Sequence, residues 1–122
     1  MYEIKKTLEI SAAHKLALDY DSKCTQLHGH NWLVTVHLRA HKLNASGMTM
    51  DFTDVKTRIM GKLDHKILND VLKFNPTAEN MAQWICDELA PYCYRVDVQE
   101  SEGNTASYII DTACPACGVK YE

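Results

Sequence analysis

The side chains best suited to chemistry cluster in one stretch, Cys24-Thr-Gln-Leu-His28-Gly29-His30, with His14 upstream. His28 and His30 are two residues apart, so on extended backbone both imidazoles leave the same side of the chain. Gly29 frees the backbone between them. If the segment ending at His14 pairs antiparallel with the one starting at His28, three neutral imidazoles meet at one point. Such a set binds zinc and leaves a fourth position for water or substrate. The competing reading is three interior histidines satisfied by hydrogen bonds, because His-x-His is a short motif. Cys24 precedes His28 by four residues and falls in a loop. A thiol near a divalent cation and imidazoles has its thiolate favoured, which suits a base or nucleophile. The alternative is an incidental loop cysteine.

Two further constellations stand apart. In Asp64-His65 a carboxylate beside an imidazole raises its basicity and selects its tautomer, making a proton shuttle near neutral pH. The alternative is an ordinary surface pair. Glu100 continues the interior parity of Tyr94, Val96 and Val98. A carboxylate on an apolar strand face is costly unless paired, and a ligand offering two parallel N–H groups would satisfy it. If the strand ends by residue 99, Glu100 is simply solvated. Near the end of the chain, Cys114-Pro-Ala-Cys117 offers two ligands, half of a structural zinc site; a redox-active pair and a plain tail are the alternatives, and the pair is assigned no function.

The elements that must position these residues follow from periodicity. Residues 2 to 14 alternate, with Tyr2, Ile4, Leu8, Ile10, Ala12 and His14 on one parity, as in a half-buried strand. Residues 30 to 41 alternate again through Trp32, Val34, Val36 and Leu38, and His28 and His30 share that parity. Between them Asp19, Asp21, Ser22 and Lys23 mark a loop. Asn44-Ala-Ser-Gly47 is a turn, and residues 48 to 52 read as a strand end. Val55, Ile59, Met60 and Leu63 have helical spacing, with Asp51 or Thr53 as cap. Asn75-Pro76-Thr77 opens a second helix with the stripe Met81, Trp84, Ile85, Leu89, which Pro91 ends. Strands over 94–100 and 106–110 flank the turn Glu102-Gly-Asn104. The order strand, strand, helix, helix, strand, strand predicts an α+β fold: a four-stranded antiparallel sheet with two helices packed on one face.

At 122 residues with 46% hydrophobic and 24% charged side chains, the chain is one globular domain rather than a disordered segment. Residues 1–112 form that domain and 113–122 a tail. A net charge of −3 and a pI near 6.0 argue against nucleic-acid binding through a basic surface. No apolar run is long enough for a membrane span. The start, Met-Tyr-Glu-Ile-Lys-Lys, lacks a secretory signal, so the five cysteines are expected as reduced thiols in a cytoplasmic protein. Cys86, beside Trp84 and Ile85 in a helical pattern, is expected to be core.

Taken in order, these residues resemble the 6-pyruvoyl-tetrahydropterin synthase superfamily, and within it the 6-carboxy-5,6,7,8-tetrahydropterin synthase (QueD) branch. The resemblance covers residues 2 to about 112. It rests on Ala12-Ala-His14, Cys24-x-x-x-His28-Gly-His30, Met50-Asp-Phe52, Leu63-Asp-His65 with Leu68-Asn-Asp70, Asn75-Pro-Thr-Ala-Glu79-Asn80, and Val98-Gln-Glu100-Ser101. The short gap between Cys24 and His28 is of that branch's type, whereas the tetrahydrobiopterin-making synthases have a longer one.

The resemblance implies a tunnelling fold (T-fold) assembled as a homohexamer, a dimer of trimers with active sites between subunits, so that metal and pterin anchor can come from different chains. It implies that His14, His28 and His30 hold zinc, that Cys24 is the general base, and that Asp64 and His65 form the opposing proton-transfer pair. It implies that Glu100 grips the 2-amino-4-oxo edge of a pterin, with Thr77 and Glu79 assisting; Thr77 is alternatively a helix cap. The implied substrate is 7,8-dihydroneopterin triphosphate. The implied products are 6-carboxy-5,6,7,8-tetrahydropterin, acetaldehyde and triphosphate, on the route to 7-deazaguanine and queuosine. The sister activity eliminates triphosphate without cleaving the side chain; a non-catalytic pterin-binding module is the other alternative. Lys15 and Lys23 are nearby cations for the triphosphate, but no Gly-rich phosphate cradle is present.

Overall fold

The computed structural model describes residues 1–111; the Cys114 and Cys117 pair lies outside the described residues. Two 13-residue strands, β1 (Tyr2–His14) and β2 (His28–Ala40), form the backbone of the sheet. They pair antiparallel along their whole length, from Tyr2↔Ala40 to His14↔His28. Alternating apolar and polar residues force that register, because a slip of one residue would turn the apolar set to water. β4 (Cys93–Ser101) adds antiparallel to β2, and β5 (Asn104–Ile109) to β4. Gly103 at the β4–β5 turn has φ +83°, a conformation glycine adopts without penalty.

Leu8, Ile10, Ala12, Trp32, Val34, Val36, Leu38, Val96 and Val98 form the buried face of the sheet. Two longer helices complete the core against it. α1 (Phe52–Leu63) buries Val55, Ile59 and Leu63, spaced one turn apart, and Asp51 caps it by accepting from Thr53 N at 2.8 Å. A later helix, numbered α3 (Ala78–Glu88), buries Met81, Ala82, Ile85 and Cys86. Thr77 caps it, its Oγ1 accepting from Asn80 N at 3.1 Å.

Among the described residues an additional strand, β3 (Lys66–Ile67), has two residues and runs parallel to β1. The sheet of the described residues thus has five strands rather than the four expected, in the order β3-β1-β2-β4-β5. β3 leads into a third, single-turn helix, α2 (Leu68–Val71). Elements this short carry no periodicity, and they form because the chain leaving α1 passes along the β1 edge. Residues 48 to 51 form no strand; they turn the chain into the α1 cap.

The other sheet face is polar. Thr7 and Thr35 pair at 3.1 Å, and Ser11 donates to Asn31 at 2.9 Å. Asp97 accepts from His37 Nε2 at 2.9 Å, from Arg95 Nε at 3.0 Å and from the Ser107 hydroxyl. Among the described residues, no helix is long and apolar enough to cross a membrane.

Candidate active site and metal centre

The last pair of the β1–β2 ladder is His14↔His28, and Ala12↔His30 lies next to it on the same face. The register brings the three imidazoles together, with centroids 4.6 Å (His14–His28), 4.9 Å (His28–His30) and 5.2 Å (His14–His30) apart. Trp32 stands below, edge-on to His14 and His30 at 4.8 and 5.1 Å, with its Nε1–H donating to the Ala12 carbonyl. β4 extends through Ser101, so Glu100 is a strand residue and not part of a solvated end. Its Oε1 lies 2.8 Å from His30 Nε2 and 3.4 Å from His14 Nε2. One ligand atom from each of His14, His28, His30 and Glu100 falls within 4.8 Å of the others.

The tautomers of two histidines are set by their partners. His14 Nδ1 lies 2.8 Å from the Pro76 carbonyl, and His28 Nδ1 2.7 Å from the Gln26 carbonyl. A carbonyl only accepts, so both δ nitrogens donate, and the neutral form of each ring has its lone pair on Nε2. Burial holds the pKa of His14 below the ordinary imidazole value, helped by His28 and His30 and opposed by the Pro76 carbonyl and Glu100. His14 is fully buried and therefore neutral.

These atoms fit a bound cation. His14 Nε2 and His30 Nε2 are buried without a hydrogen bond. The short distances to Glu100 lack hydrogen-bond geometry, so proximity alone does not satisfy the rings. Buried lone pairs facing a carboxylate repel unless a proton or a cation stands between them. A nitrogen-rich set with one oxygen, the His14 and His28 rings steadied through their other nitrogen, suits a first-row divalent metal.

The other expected site residues lie elsewhere. Cys24 sits in a one-turn 3-10 helix (Lys23–Thr25), half-buried; its N–H donates to Ser22 Oγ at 3.1 Å and its carbonyl accepts from Leu16 N at 2.8 Å. Asp64 is the C-cap of α1. Its Oδ1 accepts from Ser11 N at 2.9 Å, and its Oδ2 lies 2.9 Å from His65 Nδ1. The Ser11 N–H is the chief cause of an Asp64 pKa below the ordinary carboxylate value, with the hydrogen bond to His65 adding to it. His65 has φ +59° and is tied to β1 by its own N–H to the Ser11 carbonyl at 2.7 Å. A β-carbon-bearing residue in this region is uncommon and points to local constraint.

The His65 ring is largely exposed and borders a cavity of about 400 Å³. Ser11, Ala12, Ala13, Gly29, His30 and Asn31 line that cavity beside His65, so it takes in one residue of the histidine cluster together with residues of the polar face. Asp64 and His65 do not belong to the cluster of His14, His28, His30 and Glu100. The three imidazoles and the Glu100 carboxylate come together within a single chain. Thr77 is occupied as the α3 cap and Glu79 is exposed on the first turn of α3; neither belongs to the histidine cluster. The Pro76 and Gln26 carbonyls could not be read from the sequence, because every residue has a carbonyl and only tertiary structure aims it.

An α+β fold with a histidine–carboxylate cluster at one end of its two longest strands defines a small protein with a group that could hold a metal ion. The family model described as 6-pyruvoyl tetrahydropterin synthase matches residues 3–110. The chain belongs to that family. It is 33% identical to the 6-carboxy-5,6,7,8-tetrahydropterin synthase of Synechocystis sp., over 94% of this chain and 98% of the relative. It is 34% identical to the 6-pyruvoyl tetrahydrobiopterin synthase of Dictyostelium discoideum, over 77% and 82%. The solved structure of Caenorhabditis elegans 6-pyruvoyl tetrahydropterin synthase shares the fold with a TM-score of 0.71 at 25% identity, over 88% of this chain and 94% of that one.

Proposed function

We propose that this protein is a zinc-dependent 6-carboxy-5,6,7,8-tetrahydropterin synthase. Its substrate on this reading is 7,8-dihydroneopterin triphosphate, and acetaldehyde and triphosphate leave. The observation that carries the proposal is the cluster of buried, unbonded imidazole nitrogens of His14 and His30 beside His28. His14, His28 and His30 would hold the metal, which when bound supplies Lewis acidity toward the vicinal hydroxyls of the substrate side chain. Glu100 takes the two parallel N–H groups of the pterin edge, a charge-assisted and orienting contact. Cys24 removes a proton from one face of the side chain. Asp64 holds the His65 ring through Nδ1, leaving Nε2 to move a proton on the opposite face. Thr77 and Glu79 are assigned a supporting part in the same pocket, Thr77 through its backbone while its hydroxyl caps α3. Asp64 and His65 stand outside the histidine–Glu100 cluster, and on this reading the pair serves a site completed by another copy of the chain in a homohexamer.

The 2.8 Å approach of Glu100 to His30 favours a second reading for that residue, as a fourth metal ligand. Glu100→Ala separates the two. Retained metal at about one per chain with pterin affinity weakened roughly tenfold or more supports the anchor role. Loss of metal makes Glu100 a ligand. The activity itself is tested by incubating the zinc-loaded protein with 7,8-dihydroneopterin triphosphate. Acetaldehyde and the 6-carboxy product are expected; a 6-pyruvoyl product without acetaldehyde identifies the sister reaction, and no turnover sinks both.

A further inference from the structure

We propose that Asn69 and Asn75 are positioning residues for Cys24, acting through the extended segment 15–17; the proposal rests on the reading of Cys24 as the general base. β1 ends at His14, and beyond it the backbone groups of Lys15, Leu16 and Ala17 alternate their hydrogen-bond partners as those of an extended chain do. β3, the edge partner of β1, ends at Ile67, where the main-chain ladder stops. Two side-chain amides then take over. Lys15 N donates to Asn69 Oδ1 at 2.9 Å, and Asn69 Nδ2 donates back to the Lys15 carbonyl at 2.9 Å. Ala17 N donates to Asn75 Oδ1 at 2.8 Å, and Asn75 Nδ2 donates to the Ala17 carbonyl at 3.1 Å.

Each primary amide offers an acceptor and donors in one plane, so it imitates the peptide group a neighbouring strand would present. Alternate residues of an extended chain aim their backbone groups to opposite sides. Lys15 and Ala17 therefore face the asparagines, and Leu16 faces the other way. There Leu16 N meets the Cys24 carbonyl at 2.8 Å. The segment is a rigid spacer with asparagine amides on one edge and the Cys24 turn on the other.

Asn75 is itself anchored: its carbonyl accepts from Thr77 N at 2.8 Å and from Asn80 Nδ2 at 3.0 Å. The next residue, Pro76, supplies the carbonyl that orients His14. One short segment thus ties down both an imidazole of the metal cluster and the loop that carries the thiol. Backbone placement of a base matters because a misplacement of about 1 Å in a reacting group can cost on the order of 100-fold in rate.

The test uses the full-length zinc-loaded protein with Asn69→Leu and Asn75→Leu, which keep side-chain size but lose both hydrogen bonds, and Asn69→Asp and Asn75→Asp, which keep the acceptor. Two readouts are taken. The first is kcat and KM with 7,8-dihydroneopterin triphosphate: kcat is expected to fall by roughly 10- to 100-fold in the Leu variants with KM within about threefold, and the Asp variants to fall between these and wild type. The second is the rate at which iodoacetamide alkylates Cys24, followed by mass spectrometry of its own peptide, which should rise by about tenfold as the loop opens locally. Metal content should stay unchanged. A wild-type Cys24 alkylation rate in both Leu variants overturns the proposal, as does a wild-type kcat. If the Leu variants do not fold, the Asp variants carry the same two readouts. If wild-type protein shows no turnover, the functional reading fails and the alkylation arm alone decides this one.

Discussion

Cys24 is a half-buried thiol held by backbone hydrogen bonds in the Lys23–Thr25 turn, and on the proposed reading its substitution removes chemistry without removing a metal ligand. Cys24→Ala is expected to lower kcat by roughly 100- to 10,000-fold with substrate still bound, as measured by steady-state kinetics and by binding titration. His28→Ala differs in kind. Its ring lies on the cluster with Nδ1 committed to the Gln26 carbonyl, so no second nitrogen can replace it. Metal analysis should then find well under one zinc per chain, with affinity down by about 100-fold or more. Wild-type metal content in this variant would remove His28 from the ligand set.

At the scale of elements, the sheet's two faces have separate duties. The apolar face and its helices carry stability: Ile59 on α1 is fully buried, and Ile59→Ala is expected to cost about 2–5 kcal/mol in urea denaturation. The polar face holds strands together through Asp97. Burial would raise the Asp97 pKa, but hydrogen bonds from Ser107, His37 and Arg95 outweigh it and hold the carboxyl below its ordinary value. A folded pKa below the unfolded one means the unfolded chain takes up the proton first as pH falls. The stability lent by Asp97 is therefore full above about pH 4 and lost as pH falls through the folded value. Asp97→Asn should lower Tm at pH 7, and the gap from wild type should narrow below about pH 4. A gap that is the same at both pH values would contradict this balance.

The whole molecule poses a question of assembly. His14, His28, His30 and Glu100 cluster within one chain, and Asp64 and His65 stand outside that cluster at the β1 edge. On the proposed reading the two sets of one active site come from two copies. Cys24→Ala and His65→Ala are each expected to be inactive alone. Co-expressed in equal amounts, they should recover activity at about one site in four, the fraction that random mixing gives intact. No recovery in mixed oligomers would place the whole site within one chain. The metal's part in folding has its own check. Among the described residues, twenty-two buried apolar residues form a core without His14, His28, His30 or Glu100, so chelation should abolish turnover while far-UV circular dichroism is retained; unfolding on chelation would make the metal structural.

Long elements were legible because periodicity accumulates over many residues. Thirteen alternating residues in β1 and in β2 settle two strands, their inward face and the side from which His14, His28 and His30 project. The α1 and α3 stripes and their caps, Asp51 and Thr77, were legible for the same reason. β3 and α2 were not, since two and four residues hold no period. Local sequence dictated which residue types stand where along each strand. Only the folded chain decided that Glu100 meets His14 and His30 without hydrogen bonds, that Pro76 and Gln26 aim carbonyls at two rings, and that Asn69 and Asn75 stand in for a missing strand. Those contacts join residues far apart in the chain through groups that nearly every residue possesses, so no spacing or composition can announce them.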